Sequence, residues 1–66
     1  MEMNLDYERA YKYADTMDWY VHGDINVNAD DIYDLAWDAQ TETNIPQDIL
    51  AQAMIDYLKN ELGYEV

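Results

Sequence analysis

The chain has 66 residues, of which 15 are Asp or Glu and only 3 are Lys or Arg, so its formal net charge is −12. A charge of this sign and size repels nucleic acid and anionic membranes, so we expect no direct binding to DNA, RNA or phospholipid. The absence of Cys excludes disulfides and thiolate metal sites and favours a reducing, cytoplasmic setting. We expect no signal peptide, because the first residues lack a basic start and an apolar run, and no apolar segment approaches the ~20 residues of a membrane span.

Apolar residues in the first third of the chain recur at alternating steps of four and three, the spacing of one face of an α-helix. They are Met3, Tyr7, Ala10, Ala14, Met17 and Val21. The pattern predicts a first helix from about Leu5 to Tyr20. His22 and Gly23 then interrupt it, and residues 24–28 are rich in Asn and Asp, which favour turns, so we expect a connecting loop.

A second helix is predicted to begin after Asn28, whose side-chain oxygen can accept a hydrogen bond from an unpaired backbone N–H of the first turn. Asp30 and Asp31 follow at the positive end of the helix dipole. The polar residues 41–44 are expected to end this helix. Its predicted buried face is formed by Ile32, Leu35, Ala36 and Ala39.

Pro46 suits the first turn of a third helix because it lacks an N–H and has a φ near the helical value. Gly63 is the predicted stop, with Tyr64 folding back on the last turn. The buried face of this helix would carry Ile49, Leu50, Ala53, Met54, Tyr57, Leu58 and Leu62. The prediction is an all-α fold, a small three-helix bundle, with residues 1–66 forming a single acidic helical domain.

A row of acids at helical spacing marks the second helix: Asp30, Asp34, Asp38 and Glu42. Like charges four residues apart cost on the order of 0.2–0.5 kcal/mol per pair, and Asp is a poorer helix former than Glu. At about 1.5 Å rise per residue the carboxylates recur every ~6 Å, comparable with the phosphates of a DNA strand. We therefore predict that acids stand in for phosphates when a partner binds, at Asp30, Asp31, Asp34, Asp38 and Glu42, with Asp15, Asp18 and Asp24 in a secondary role.

Catalytic chemistry has few candidate groups in this chain. There is no Ser and no Cys, and His22 is the only imidazole, so a nucleophilic triad is excluded and we predict that the protein is not an enzyme. We also expect no cofactor and no metal.

A calcium-binding loop is an alternative reading of the segment that begins at Asp24, because oxygen-bearing side chains stand at positions 1, 3, 5 and 7 of an EF-hand pattern. The rest of the pattern fails, since Ala29 replaces the required Gly and Leu35 replaces the final Glu. This alternative is therefore a weak calcium-binding module.

Tyr33 and Trp37 lie four residues apart and off the predicted buried face of the second helix. Exposed Tyr and Trp beside acids suit a protein interface, where the rings anchor the partner and the charge steers the encounter. A second alternative is thus an acidic protein–protein interaction adaptor that binds through Tyr33 and Trp37.

The central part of the chain resembles the acidic helical core of Ocr, the phage anti-restriction protein family whose members mimic duplex DNA. The residues that carry the resemblance are Asp24-Ile25, Asp30-Asp31-Ile32-Tyr33-Asp34-Leu35, Ala39, Ile45-Pro46, Asp48-Ile49 and Met54, with Tyr7, Ala10 and Tyr11 in the first helix. The resemblance implies occupation of the DNA groove of a type I restriction-modification enzyme, with Asp24, Asp30, Asp31, Asp34 and Asp48 in place of phosphates. Small acidic phage inhibitors of CRISPR effectors use the same strategy.

Together these features predict a DNA-mimic inhibitor, encoded by a phage or a mobile element, that evades host defence by anti-restriction or anti-CRISPR activity. Its partner would be a basic DNA-binding protein in the host cytoplasm, held by the acids and by Tyr33 and Trp37. A homodimer is one option for its assembly.

Overall fold

A computed structural model describes residues 5–66, which form three helices: α1 (Leu5–Thr16), α2 (Ala29–Thr43) and α3 (Gln47–Glu61). Helix α3 is central, because it packs against both α1 and α2, whereas the backbones of α1 and α2 do not contact each other. Within residues 5–66 there is no strand, only an isolated antiparallel bridge in the loop between α1 and α2. The predicted all-α three-helix bundle is confirmed.

The core is formed by one face of each helix together with two residues from the connections. Its buried apolar residues are Ala10, Ala14, Trp19, Ile32, Ala36, Ala39, Ile45, Leu50, Ala51, Ala53, Met54, Tyr57 and Leu58. All predicted core positions of α2 and α3 belong to this core or pack against it, with Leu35, Ile49 and Leu62 partly buried. Alanines on all three helices allow the backbones to approach closely, so a small chain still encloses a continuous core.

Helix α1 ends at Thr16, four residues before the predicted end at Tyr20. The chain turns so that Trp19 is only 4% exposed and its Nε1 donates a 2.9 Å hydrogen bond to the carbonyl of Ala14. Burial of this large side chain outweighs continuation of the helix, and the indole adds a second hydrogen bond to the Ala14 carbonyl, which also accepts from the Met17 N–H at 3.1 Å.

The early end of α1 corrects the predicted apolar face. Tyr7, Ala10, Ala14 and Met17 lie in or against the core, as predicted. Val21 was predicted on the same face, but its side chain is 62% exposed because the residue lies beyond the helix, in the loop. Met3, the first residue of the predicted face, lies outside the described residues.

Helix α2 begins with a reciprocal pair of side-chain hydrogen bonds, so the predicted cap is confirmed. The Oδ1 of Asn28 accepts from the Asp31 N–H at 2.9 Å, and the Asp31 carboxylate accepts from the Asn28 N–H at 3.1 Å. The helix ends at Thr43, within the predicted polar stretch, and Asn44 follows in the left-handed region with φ 64°. Short side chains thus determine both ends of α2.

Helix α3 runs from Gln47 to Glu61, close to the predicted stop, but Pro46 is the cap residue just before the helix and not part of its first turn as predicted. Gly63 has φ +68°, a conformation that favours glycine, and it reverses the chain after the helix. The backbone N–H of Tyr64 donates to the carbonyl of Leu58 at 2.9 Å, and its hydroxyl donates to the carbonyl of Val27 at 2.8 Å. Tyr64 therefore closes the end of α3 and also ties down the loop that precedes α2.

The loop between α1 and α2 contains a tight two-residue turn. His22 and Gly23 both have positive φ, 54° and 85°, and Val21 and Asp24 exchange two backbone hydrogen bonds of 2.7 and 3.0 Å. Two consecutive positive φ values are the geometry of a type I′ turn. The predicted connecting loop thus has a defined shape, with an exposed His22 at its tip. No helix in the described part of the chain has the length and apolar character needed to cross a membrane.

Candidate protein-binding surface on helix α2

Helix α2 carries five acids and no basic residue. Its buried side faces α3, and the opposite side, here called the outer face, consists of Asp30, Tyr33, Asp34, Trp37 and Asp38, which are all exposed. An amphipathic helix leaves such a face to water or to a partner. This face is the candidate site because it combines unbroken negative charge with exposed aromatic rings.

The row of four acids winds around α2 and does not run straight along it. A step of four residues rotates the side chain by about 40°, so three steps from Asp30 to Glu42 amount to about 120°. Glu42 consequently lies at the edge next to α1, where the hydroxyl of Tyr13 donates a 3.3 Å hydrogen bond to its Oε2. The outer face retains Asp30, Asp34 and Asp38 from the predicted row.

The few cations of the chain lie on other helices. Arg9 and Lys12 belong to α1, and Lys59 belongs to α3. An Nη atom of Arg9 donates to the carbonyl of Thr43 at 3.0 Å, which places a positive charge at the negative end of the α2 dipole. The one ion pair found among residues 5–66 is an exposed 3.5 Å contact between Arg9 and Asp6. The acids of the outer face therefore have no cation within the described structure.

Tyr33 and Trp37 are exposed, as predicted from their position off the buried face of α2. Their exposed fractions are 46% and 60%, among the largest for apolar side chains in the described part of the chain. The only aromatic ring contacts within residues 5–66 join Tyr7, Tyr11 and Tyr57, so no other ring covers this pair. Both rings are thus accessible to a partner.

Tyrosine hydroxyls take the place of cations between the helices. Four of the seven tyrosines donate a hydrogen bond to a carboxylate of another helix: Tyr7 to Asp56, Tyr11 to Glu61, Tyr13 to Glu42 and Tyr57 to Asp15. Three of these pairs join α1 to α3, and the pair with Glu42 joins α1 to α2. A phenol stabilises a carboxylate without cancelling its charge, so the chain folds and keeps its negative field.

Sequence reasoning missed these tyrosine–carboxylate pairs. The available signal was an excess of Tyr in a chain with 15 acids and 3 bases, with Tyr7 and Tyr11 one turn apart on α1. Partners distant in sequence, such as Asp56 for Tyr7, depend on how α1 packs against α3 and leave no local pattern.

Each of the four tyrosines in these pairs has a raised pKa. Burial, reinforced by the hydrogen bond to Asp56, raises the pKa of Tyr7 to about 12. The hydrogen bond to Asp15, together with burial, raises the pKa of Tyr57 to about 12. Burial and the neighbouring carboxylates also raise the pKa of Tyr11 and of Tyr13. A phenolate beside a carboxylate would bring two like charges together, so these hydroxyls remain protonated donors at neutral pH.

The remaining predicted phosphate surrogates lie on other elements or have structural contacts. Asp15 accepts the 2.7 Å hydrogen bond from Tyr57, and Asp18 accepts from the backbone N–H of Tyr20 at 3.2 Å. Asp24 is exposed in the tight turn, and Asp31 is part of the α2 cap. Asp15, Asp18 and Asp31 thus have roles in the fold, and Asp24 lies in the turn, away from α2. Asp30, Asp34 and Asp38 are the acids on α2 for which a partner is the simplest explanation.

No metal site is evident in the described part of the chain. Among residues 5–66 no group of three or more His, Asp or Glu side chains is arranged to hold a metal ion. The Asn28 oxygen that an EF-hand loop would direct at calcium is instead bonded to the Asp31 N–H. The geometry thus gives no support to the calcium-binding alternative.

Comparison of the chain with known proteins finds no matching family model, no matching curated protein and no matching solved structure. The resemblance to the Ocr family therefore stays a prediction.

Proposed function

We propose that this protein is a DNA mimic that binds the basic DNA-binding groove of a host defence protein, either a type I restriction-modification enzyme or a CRISPR effector. The observation that carries the proposal is the outer face of α2, where Asp30, Asp34 and Asp38 are exposed without a cation. A folding requirement does not account for this row, because acids four residues apart repel each other.

Charge complementarity supports this type of partner. A groove that binds DNA uses Lys and Arg to neutralise phosphates and to release their counterions. Carboxylates held ~6 Å apart on a helix offer the same groove a set of fixed negative charges. The short side chain of Asp keeps each charge near the helix backbone, which limits its movement.

The dimensions of the protein are compatible with a DNA groove. Its longest extent is 37 Å, and one helical turn of B-DNA spans about 34–36 Å. Helix α2, with 15 residues, is about 22 Å long and would cover roughly six base-pair steps. A groove that accepts about one turn of duplex would therefore accommodate the whole molecule.

The test measures whether this protein prevents type I restriction-modification enzymes and CRISPR effectors from binding DNA. The wild type is compared with charge-reversal variants. The double variant Asp34→Lys with Asp38→Lys should bind the target about tenfold or more weakly, because it places two cations against a basic groove. The matched control reverses Glu8→Lys and Glu65→Lys, which changes the net charge by the same amount away from α2. The control should still inhibit.

Equal inhibition by the two double variants would exclude the outer face of α2 as the binding surface. Far-UV circular dichroism of both variants checks that the helices are retained. Competition with duplex DNA supplies a second criterion, because a mimic and DNA exclude each other from one groove. Simultaneous binding of DNA and this protein would contradict the proposal.

The exposure of Tyr33 and Trp37 favours a second candidate function, an interaction adaptor in which the rings anchor the partner and the acids serve solubility. A salt titration of complex formation separates the two functions. Binding through charge weakens steeply as salt is added, whereas binding through buried rings changes little.

A further inference from the structure

The two exposed rings and the acids occupy one face, which raises the question of which side chain of a partner would use both. We propose that the outer face of α2 binds arginine, with the Trp37 ring stacking on a guanidinium that donates hydrogen bonds to the Asp34 carboxylate. The inference rests on the proposed function, since it names the partner side chain that the same surface selects.

Helix geometry places the two groups together. Trp37 follows Asp34 by three residues and Tyr33 by four, and residues at these spacings are neighbours on a helix surface. Side chains on a helix lean towards its N-terminus, so the Trp37 indole covers the surface over the preceding turn, where Tyr33 and Asp34 lie. An aromatic face and a carboxylate are thus presented side by side.

Arginine satisfies both groups, and lysine satisfies only one of them well. The guanidinium is planar, stacks on aromatic faces and presents several N–H groups that can bond a carboxylate in pairs. The lysine ammonium is a compact, strongly hydrated charge that gains less from stacking. A surface of acids alone would respond mainly to charge, so the rings provide a means of distinguishing the two cations.

A second copy of this chain is a poor occupant of the outer face. Two α2 helices brought together through it would oppose three acids with three acids, and neither helix carries a basic residue. A neutral apolar partner would bury Asp30, Asp34 and Asp38 without compensation, which is costly. A basic partner is the occupant that both the charge and the rings favour.

The inference is tested with oligo-arginine and oligo-lysine peptides of equal length, titrated into the full chain at low salt. The arginine peptide should bind about two- to fivefold more tightly, the ratio that corresponds to about 0.5–1 kcal/mol for an exposed cation–π contact. Isothermal titration calorimetry gives both affinities. Trp37 emission should also change, because Trp37 is exposed, whereas the other tryptophan, Trp19, is buried.

Trp37→Leu is the decisive variant, since it keeps an apolar side chain on the exposed helix surface and removes the ring. It should lose most of the preference for arginine, because only the paired hydrogen bonds to Asp34 remain. Tyr20→Leu is the matched control, because it removes an exposed ring from the loop outside α2 and should retain the preference for arginine. An undiminished preference in Trp37→Leu, or its loss in Tyr20→Leu, would overturn the assignment of Trp37.

The outcomes also separate this inference from the proposed function. If the wild-type chain binds both peptides equally and Asp34→Asn with Asp38→Asn weakens both, the acidic surface stands and the arginine assignment is wrong. If the wild-type chain binds neither peptide at low salt, the arginine assignment and the proposed electrostatic surface are both wrong.

Discussion

The hydroxyl of Tyr57 on α3 donates a 2.7 Å hydrogen bond to the carboxylate of Asp15 on α1, across the interface that holds these helices together. The Tyr57 ring is almost fully buried, while Asp15 is exposed. This pair illustrates how a chain with very few cations stabilises its acids, because a neutral phenol serves as the donor.

Removal of that hydroxyl should destabilise the fold. Tyr57→Phe keeps the buried ring and removes the hydrogen bond to a charged group, so we expect the melting temperature to fall by roughly 5 °C. Thermal unfolding followed by circular dichroism measures the change. Tyr20→Phe, at a half-exposed ring in the loop, is the control and should melt with the wild type. Identical melting of all three proteins would show that the pair with Asp15 contributes nothing to stability.

Stability should decline at alkaline pH in a defined window. Folding raises the pKa of Tyr7 and of Tyr57 from the ordinary value of 10 to about 12. The native state therefore favours the protonated phenols, and their contribution is fully present below pH 10 and is lost as the pH rises through 12. Urea unfolding at a series of pH values should show the midpoint falling across this window.

The double variant Tyr7→Phe with Tyr57→Phe supplies the comparison for the alkaline transition. It should be less stable at neutral pH and should lose less stability between pH 10 and 12, because its two phenylalanines do not titrate. If the stability of the wild type and of the variant falls in parallel with pH, this explanation is contradicted. The loss would then come from the general negative charge of the chain.

The side chain of Trp19, just after the end of α1, should contribute strongly to the free energy of unfolding. Trp19→Phe retains most of the buried ring but removes the 2.9 Å hydrogen bond to the Ala14 carbonyl, so we expect a loss of about 1 kcal/mol in the free energy of unfolding. Trp19→Ala would also leave a cavity and should cost about 3–5 kcal/mol, enough to unfold so small a domain. Chemical denaturation measures both changes. A Trp19→Ala protein with wild-type stability would refute the role of this side chain in ending the helix.

Repulsion among the acids of the outer face should lower the stability of the folded protein. Asp34 lies four residues from both Asp30 and Asp38, so Asp34→Asn removes two repulsive pairs and should raise the melting temperature by a few degrees. The same variant should bind a basic target more weakly, which would link the instability of the row to its use in binding. Added salt screens the repulsion and should shrink the stability difference. A destabilised Asp34→Asn protein would instead assign Asp34 a structural role.

Local sequence patterns were sufficient to predict most of the fold. The spacing of apolar residues predicted three helices, and Asn28 and Gly63 marked helix ends that the structure confirms, while Pro46 lies one residue before the helix that it was expected to begin. These signals act over one or two turns, so they can be read from the chain alone. The end of α1 was misjudged because it depends on the burial of Trp19, which a helical pattern does not reveal.

For the candidate site, the sequence by itself determined the charge of α2, the four-residue spacing of its acids and the position of Tyr33 and Trp37 away from the buried face. Only the tertiary structure decided which acids are available to a partner. Packing of α1 against α3 engages Asp15 with Tyr57, and the approach of Tyr13 engages Glu42, while Asp30, Asp34 and Asp38 stay on the exposed side of α2. The reason is that helical periodicity is local, whereas a hydrogen bond between residues far apart in sequence exists only once the helices have packed.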